Sequence, residues 1–182
     1  MIENKLTPWL KIGYTIFAYK GLNELKIEVL SRLVNKSKSS FYHHFADMEI
    51  YLDYLLNFHI KQAFMISEEI KNKNLNTEDI LTLIIEHKDD IFFHKQLRIN
   101  RDKKIFYNCF QKAYFYISNA FMEYWTKEVG LTNNTQISKE LLDLIEENFY
   151  LSITEQNFTY NWLLDYMTNI KELINNLKSY NH

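Results

Sequence analysis

One proline and three glycines in 182 residues leave the chain almost without turn formers. Together they make roughly 2% of the sequence against about 12% in an average protein, too little turn chemistry for a sandwich, a barrel or a hairpin-rich sheet. An all-α fold is expected. A single cysteine, Cys109, excludes an internal disulfide, and the start MIENKLTPWLKIGY lacks the charged head and apolar run of a secretory leader. The expected location is cytoplasmic. Long apolar runs are missing too: LTLII at Leu81 to Ile85 is closed by Glu86 and His87, far short of the roughly 18 continuous apolar residues a bilayer requires. No membrane partner is expected. Nor is there a charge excess: 21 Lys+Arg against 23 Asp+Glu give a net charge of −2, so any affinity for nucleic acid must come from a local patch.

What the chain does have is apolar and aromatic mass: 47% hydrophobic residues, with Phe 13, Tyr 13 and Trp 3. That excludes a disordered chain and supplies more ring surface than a minimal helical core needs. The charge is also uneven. Between Thr7 and Phe45 six basic residues (Lys11, Lys20, Lys26, Arg32, Lys36, Lys38) face two acidic ones (Glu24, Glu28), whereas acidic residues outnumber basic ones from Ala46 onward. A small basic module on a larger acidic helical body follows, over residues 1–47 and 48–182.

In the N-terminal module, Thr7 and Pro8 predict a helix start, with Thr as cap and Pro first in the helix. Leu10, Gly13, Tyr14 and Phe17 then fall at i, i+3, i+4 and i+7, so the helix should run from about Pro8 to Tyr19, closed by Gly21. A second helix carries Ile27, Leu30, Leu33 and Val34 on one face and stops near Asn35, which tolerates the left-handed conformation. Ser37 caps a third helix whose buried side is Phe41 and Phe45. Three short helices, the last two joined by a tight turn, make a helix-turn-helix with the third as recognition helix. Lys38, Ser39 and Ser40 reach base edges from its N-terminus, while Tyr42, His43 and Lys26 are placed for phosphate oxygens.

IFAYKG at Ile16 to Gly21, followed at the right spacing by LVNKSKSSFYHHFADMEIYL at Leu33 to Leu52, resembles the DNA-binding domain of TetR-family transcriptional regulators. The most specific part is Ser37, Lys38, Tyr42 and Phe45 followed by Glu49 and Leu52. The chain departs from the family pattern in having Asn35 and Lys36 for Gly and Val, Lys26 for a Thr, and Met48 for a Lys that contacts phosphate. Lys36 is then directed to solvent or phosphate. The resemblance implies a homodimer on a palindromic double-stranded DNA operator, a ligand-binding body, and release of the DNA by a small hydrophobic inducer.

The body reads as a series of helices. Met48 to about Lys71 is one, and Thr77 with Glu78 and Asp79 begins another, continued or kinked by Asp89 to Leu97. The polar run Arg98 to Lys104 is a connection. Ile105 to Lys127 is apolar or aromatic almost all round, as expected of a helix sandwiched between neighbours. After a loop containing TNNT, a long helix from about Ile137 to Tyr166 and a last helix capped by Thr168 or Asn169 are expected. A largely apolar ligand pocket is expected among Phe92, Phe106, Phe110, Phe121, Trp125, Phe149 and Phe158, with Tyr114, Gln156 or His94 orienting the guest. A dimer interface is expected at Ile153, Leu163, Ile170, Leu173, Ile174 and Leu177.

Enzymatic chemistry finds little support. No His is preceded three residues earlier by an acid, since those positions hold Ser40, Phe41, Leu56, Ile84, Ile91 and Ser179, so no di-iron pair is present. His87, Asp90 and His94 share a helix face but read as scattered polarity, and Cys109 as a small core residue, so neither a metal nor another cofactor is expected. The expected protein is a ligand-responsive repressor; the alternative is a helical small-molecule binding protein whose DNA-binding module no longer functions.

Overall fold

The computed structural model describes residues 2–73, 75–131 and 135–179. Among them the chain is all-helical, without a strand. Helix α1 spans Ile2–Lys20 and a single 3-10 turn Leu22–Glu24 leads to α2, Ile27–Val34, and α3, Lys38–Phe45. Then come α4 (Met48–Lys71), α5 (Thr77–Glu86), α6 (Lys88–Ile99), α7 (Lys104–Glu128), α8 (Thr135–Ser152) and α9 (Tyr160–Ser179).

Several expectations about these elements need correction. Helix α1 does not start at Pro8 but contains it. The apolar face extends back to the buried Leu6, next to Trp9 and Leu10. Leu33, expected inward, is 51% exposed; Leu25, Leu30 and Ser31 are buried instead. The expected helix Ile137 to Tyr166 is broken, because Asn157 offers the backbone a closed local alternative. The Thr154 N–H donates to Asn157 Oδ1 at 2.7 Å, the Asn157 N–H to Thr154 Oγ1 at 3.2 Å, and Asn157 Nδ2 to the Ser152 carbonyl at 2.9 Å. Thr159 Oγ1 then accepts from the Trp162 N–H at 3.3 Å and opens α9, while Thr168 lies inside that helix, its hydroxyl donating to the Leu164 carbonyl at 2.8 Å. Of the TNNT loop, residues 132–134 lie outside the described residues.

The chain forms two compact units, residues 1–66 with 88–116, and residues 67–87 with 117–182. This division differs from the expected boundary after residue 47. The reason is that α1 lies along α6: Phe17 packs on Phe93 and Phe106 with centroids 4.5 and 5.7 Å apart, and the Tyr19 hydroxyl donates to Asp89 at 2.5 Å. Gly21, at φ 76°, ends α1 in a conformation that favours glycine.

In the second unit Trp125, Val129, Leu142 and Ile174 form a core cluster flanked by Phe121, Met122, Leu141, Ile145 and Ile170. The Trp125 indole N–H donates to the Ser138 carbonyl at 2.8 Å. The end of α7 is tied down by Lys178, whose ammonium donates to the Val129 and Gly130 carbonyls. Asn76 caps α5 in a reciprocal box with Asp79. Helix α7 is one-sided rather than sandwiched: Phe106, Cys109, Phe110, Ala113 and Trp125 are buried, whereas Ile105, Tyr107 and Phe115 are exposed.

Candidate nucleic-acid interface

The turn between α2 and α3 is built from backbone hydrogen bonds that the sequence makes possible. Asn35 takes the left-handed conformation at φ 56°, its N–H donating to the Arg32 carbonyl at 3.2 Å, while the Lys36 N–H reaches the Ser31 carbonyl at 2.9 Å. These two bonds make a Schellman end that reverses the chain within three residues. Ser37 then caps α3, its Oγ accepting from the Ser40 N–H at 3.2 Å. Phe41 and Phe45 are fully buried and pack edge-on against Trp9 of α1, at 5.5 and 6.3 Å, and against Tyr51 of α4, at 5.4 and 5.0 Å. The inner face of α3 is thereby fixed.

Its outer face carries the expected residues. Ser39, Tyr42 and His43 are exposed and Ser40 is half-buried. Lys36 is exposed just ahead of the helix. Lys38 is exposed but paired, its ammonium 2.6 Å from Glu28 on α2, and this contact holds the Glu28 carboxyl below its usual range. Lys26 lies 3.4 Å from Glu24. Such surface pairs exchange for phosphate at little cost, since each contributes about 0 to 1 kcal/mol. His44 is half-buried, and burial together with the charges of His43 and Lys5 lowers its pKa.

The seven rings expected to line a pocket are divided between the two units. Phe92, Phe106 and Phe110 are buried in the first unit, against Tyr19, Phe17 and His94 respectively. In the second unit Phe121 and Trp125 belong to one core cluster, while Phe149 contacts Phe158, Trp162 and Tyr166. Gln156 lies exposed in the turn before α9, and Tyr114 stacks along Phe110 at 6.1 Å. A cavity of 430 Å³ in the second unit is lined instead by Lys73, Leu75, Asp79, Thr82, Leu83 and Glu86, a polar set. The expected interface residues divide as well. Ile153, Leu163 and Ile174 are buried within the subunit and Ile170 is half-buried, whereas Leu173 and Leu177 are exposed at 54% and 52%.

One constellation escaped sequence reasoning. Tyr14 of α1 sits between Asp90 of α6, which accepts from its hydroxyl at 2.6 Å, and His59 Nδ1 of α4 at 2.5 Å. His59 Nε2 in turn lies 3.5 Å from His94 Nδ1. All three rings are buried, Tyr14 and His59 stacked on Phe93 and His94 packed at a tilt against Phe110. Burial pushes the Tyr14 hydroxyl well up and both imidazoles down, His59 to about 4. Asp90 and His94 share one helix face in the sequence, but Tyr14 and His59 sit within apolar stripes and look like core spacing. Among the described residues no group of three or more His, Cys, Asp or Glu could hold a metal ion. The Cys109 thiol, donating to the Leu56 carbonyl at 3.5 Å, is pushed up to about 12 by burial, so it is a poor nucleophile. No helix among the described residues is long and apolar enough to cross a membrane. Comparison with known proteins finds no match, whether to a family model, a curated protein or a solved structure.

Proposed function

We propose that the chain is a ligand-responsive transcriptional regulator of the TetR type, a repressor that binds a palindromic operator through α3 and leaves it when a small hydrophobic inducer binds the helical body. The observation that carries this reading is the helix pair α2 and α3: a three-residue turn with a left-handed Asn35, a capped second helix anchored by Phe41 and Phe45, and an outer face of Lys38, Ser39, Tyr42 and His43. In this reading Lys38 trades Glu28 for DNA, Ser39 and Ser40 meet base edges, and Lys26, Lys36, Tyr42 and His43 meet phosphates. Inducer and operator favour different conformations of one dimer, so each weakens the other's binding by the same factor.

The second reading, a helical small-molecule binding protein whose DNA module is inactive, rests on Met48, which stands where the resembled family carries a phosphate-contacting Lys. A gel shift against a randomised palindrome library, titrated with salt, separates the two. The regulator selects a sequence and binds it at least about a thousandfold more tightly than random DNA. Lys38→Ala then weakens the selected site by about 1 to 3 kcal/mol, and Tyr42→Ala weakens all sequences alike. Absence of any selected sequence overturns the regulator. Unchanged binding by both variants overturns the assignment of α3.

A further inference from the structure

The buried polar chain of the first unit crosses three helices, and the proposed DNA binding makes no use of it. A carboxylate only accepts hydrogen bonds, so the single proton of the Tyr14 hydroxyl goes to Asp90 Oδ1. The Tyr14 oxygen must then accept from its other neighbour, His59 Nδ1, which fixes the neutral His59 ring with its proton on Nδ1 and a lone pair on Nε2. That lone pair faces His94 Nδ1. Every donor therefore points toward Asp90, an order that requires the Nε2 lone pair of a neutral His59. A proton on His59 Nε2 faces the His94 ring with a donor instead of an acceptor. A proton taken up by His94 instead places a buried cation beside His59 and Phe110, near Arg98.

We infer that Asp90, Tyr14, His59 and His94 form an acid-released latch, which holds α1 on α4 and α6 at neutral pH and opens locally when the imidazoles take up protons. The titratable and charged groups around it are Tyr14 on α1, Asp89, Asp90 and Arg98 on α6, and Cys109 on α7. Of these, Asp90 favours a charged His59, but burial outweighs it. The folded pKa of His59 is depressed, so the latch is at full strength above the ordinary imidazole value of 6.5 and weakens as pH falls toward about 4.

Hydrogen exchange on the full chain, at about pH 7 and about pH 5 and corrected for intrinsic rates, reads the latch directly, because local opening appears in some helices and not in others. Amides of α1 and α6 should gain at least about tenfold in corrected rate relative to those of α8 and α9. Tyr14→Phe keeps the ring and removes the hydroxyl, and its α1 should already exchange faster at neutral pH. The double variant His59→Gln, His94→Gln, which cannot take up the protons, should lose the differential. If it fails to fold, the parent and Tyr14→Phe decide the matter by themselves. Equal acceleration in α8 and α9, no acceleration at all, or a differential that persists in a folded double variant overturns the latch. None of these readouts involves DNA, so the result is independent of the proposed function.

Discussion

At Gly13 the missing side chain is the contact. A Cβ built there would stand 1.6 Å from Tyr51 Oη and 2.8 Å from its Cζ, and Tyr51 cannot retreat, being fully buried with its hydroxyl donating to the Trp9 carbonyl at 2.9 Å. Gly13→Ala gains about 1 kcal/mol of helix propensity in α1 but overpacks the core, at a cost of about 1 to 3 kcal/mol or more. The expected net effect is destabilisation, measured as a lower urea midpoint, with the loss partly recovered when Tyr51→Leu is added. A stabilised Gly13→Ala would contradict the packing. The same close approach explains why α3 is so well supported, since Tyr51 touches both Phe41 and Phe45. Sequence spacing put Gly13 correctly on the inner stripe of α1, yet nothing in spacing says which ring fills the gap. For the same reason Tyr14 and His59 passed as core residues: helical periodicity gives the direction of a side chain and not the partner it finds 45 residues away.

Among the elements, the break between α8 and α9 depends on Asn157. Its side chain accepts from the Thr154 N–H and donates to the Ser152 carbonyl, satisfying two backbone groups that a continuous helix would pair differently. Asn157→Ala removes both and should cost about 1 to 2 kcal/mol in a chemical melt, with faster hydrogen exchange at residues 152–159 as the local readout. Unchanged stability would mean that the buried Ile153 and Phe158 hold the turn by themselves. This break was invisible in the sequence because apolar residues continue at helical spacing through Phe149, Ile153, Tyr160 and Leu163, and no glycine or proline interrupts them. Where punctuation exists, the elements were legible: Asn35, Ser37 and Gly21 mark ends and caps that the structure realises. Pro8 misled because proline favours the first helical position, whereas Leu6 extends the apolar face beyond it.

At the scale of the whole molecule, the proposed reading calls for a homodimer, and such a dimer would have to use apolar surface that the chain leaves exposed. Ile153, Leu163 and Ile174 are consumed by its own core, so an Asp at Ile174 would unfold the chain rather than test assembly. Exposed positions offer the cleaner experiment. On α8, Ile137, Leu144 and Leu151 stand 46%, 68% and 81% exposed at i, i+7 and i+14, a stripe along one side of the helix, and on α9 Leu173 and Leu177 are exposed one turn apart. Leu144→Glu with Leu151→Glu places two charges on a surface the lone subunit shows to water, so folding should change by less than about 0.5 kcal/mol each. In a dimer that buries the stripe, each unpaired carboxylate would cost several kcal/mol and shift the equilibrium to monomer. Light scattering at micromolar concentration should therefore give the parent twice the 22.1 kDa chain mass and the double variant the single mass, with helical circular dichroism unchanged. A parent that scatters as a 22.1 kDa particle contradicts the dimer. A variant that stays dimeric moves the interface off this stripe, leaving Leu173 and Leu177 to be tested in the same way. Either result bears on DNA reading, because two copies of α3 about 34 Å apart are what successive major grooves on one face of the duplex demand.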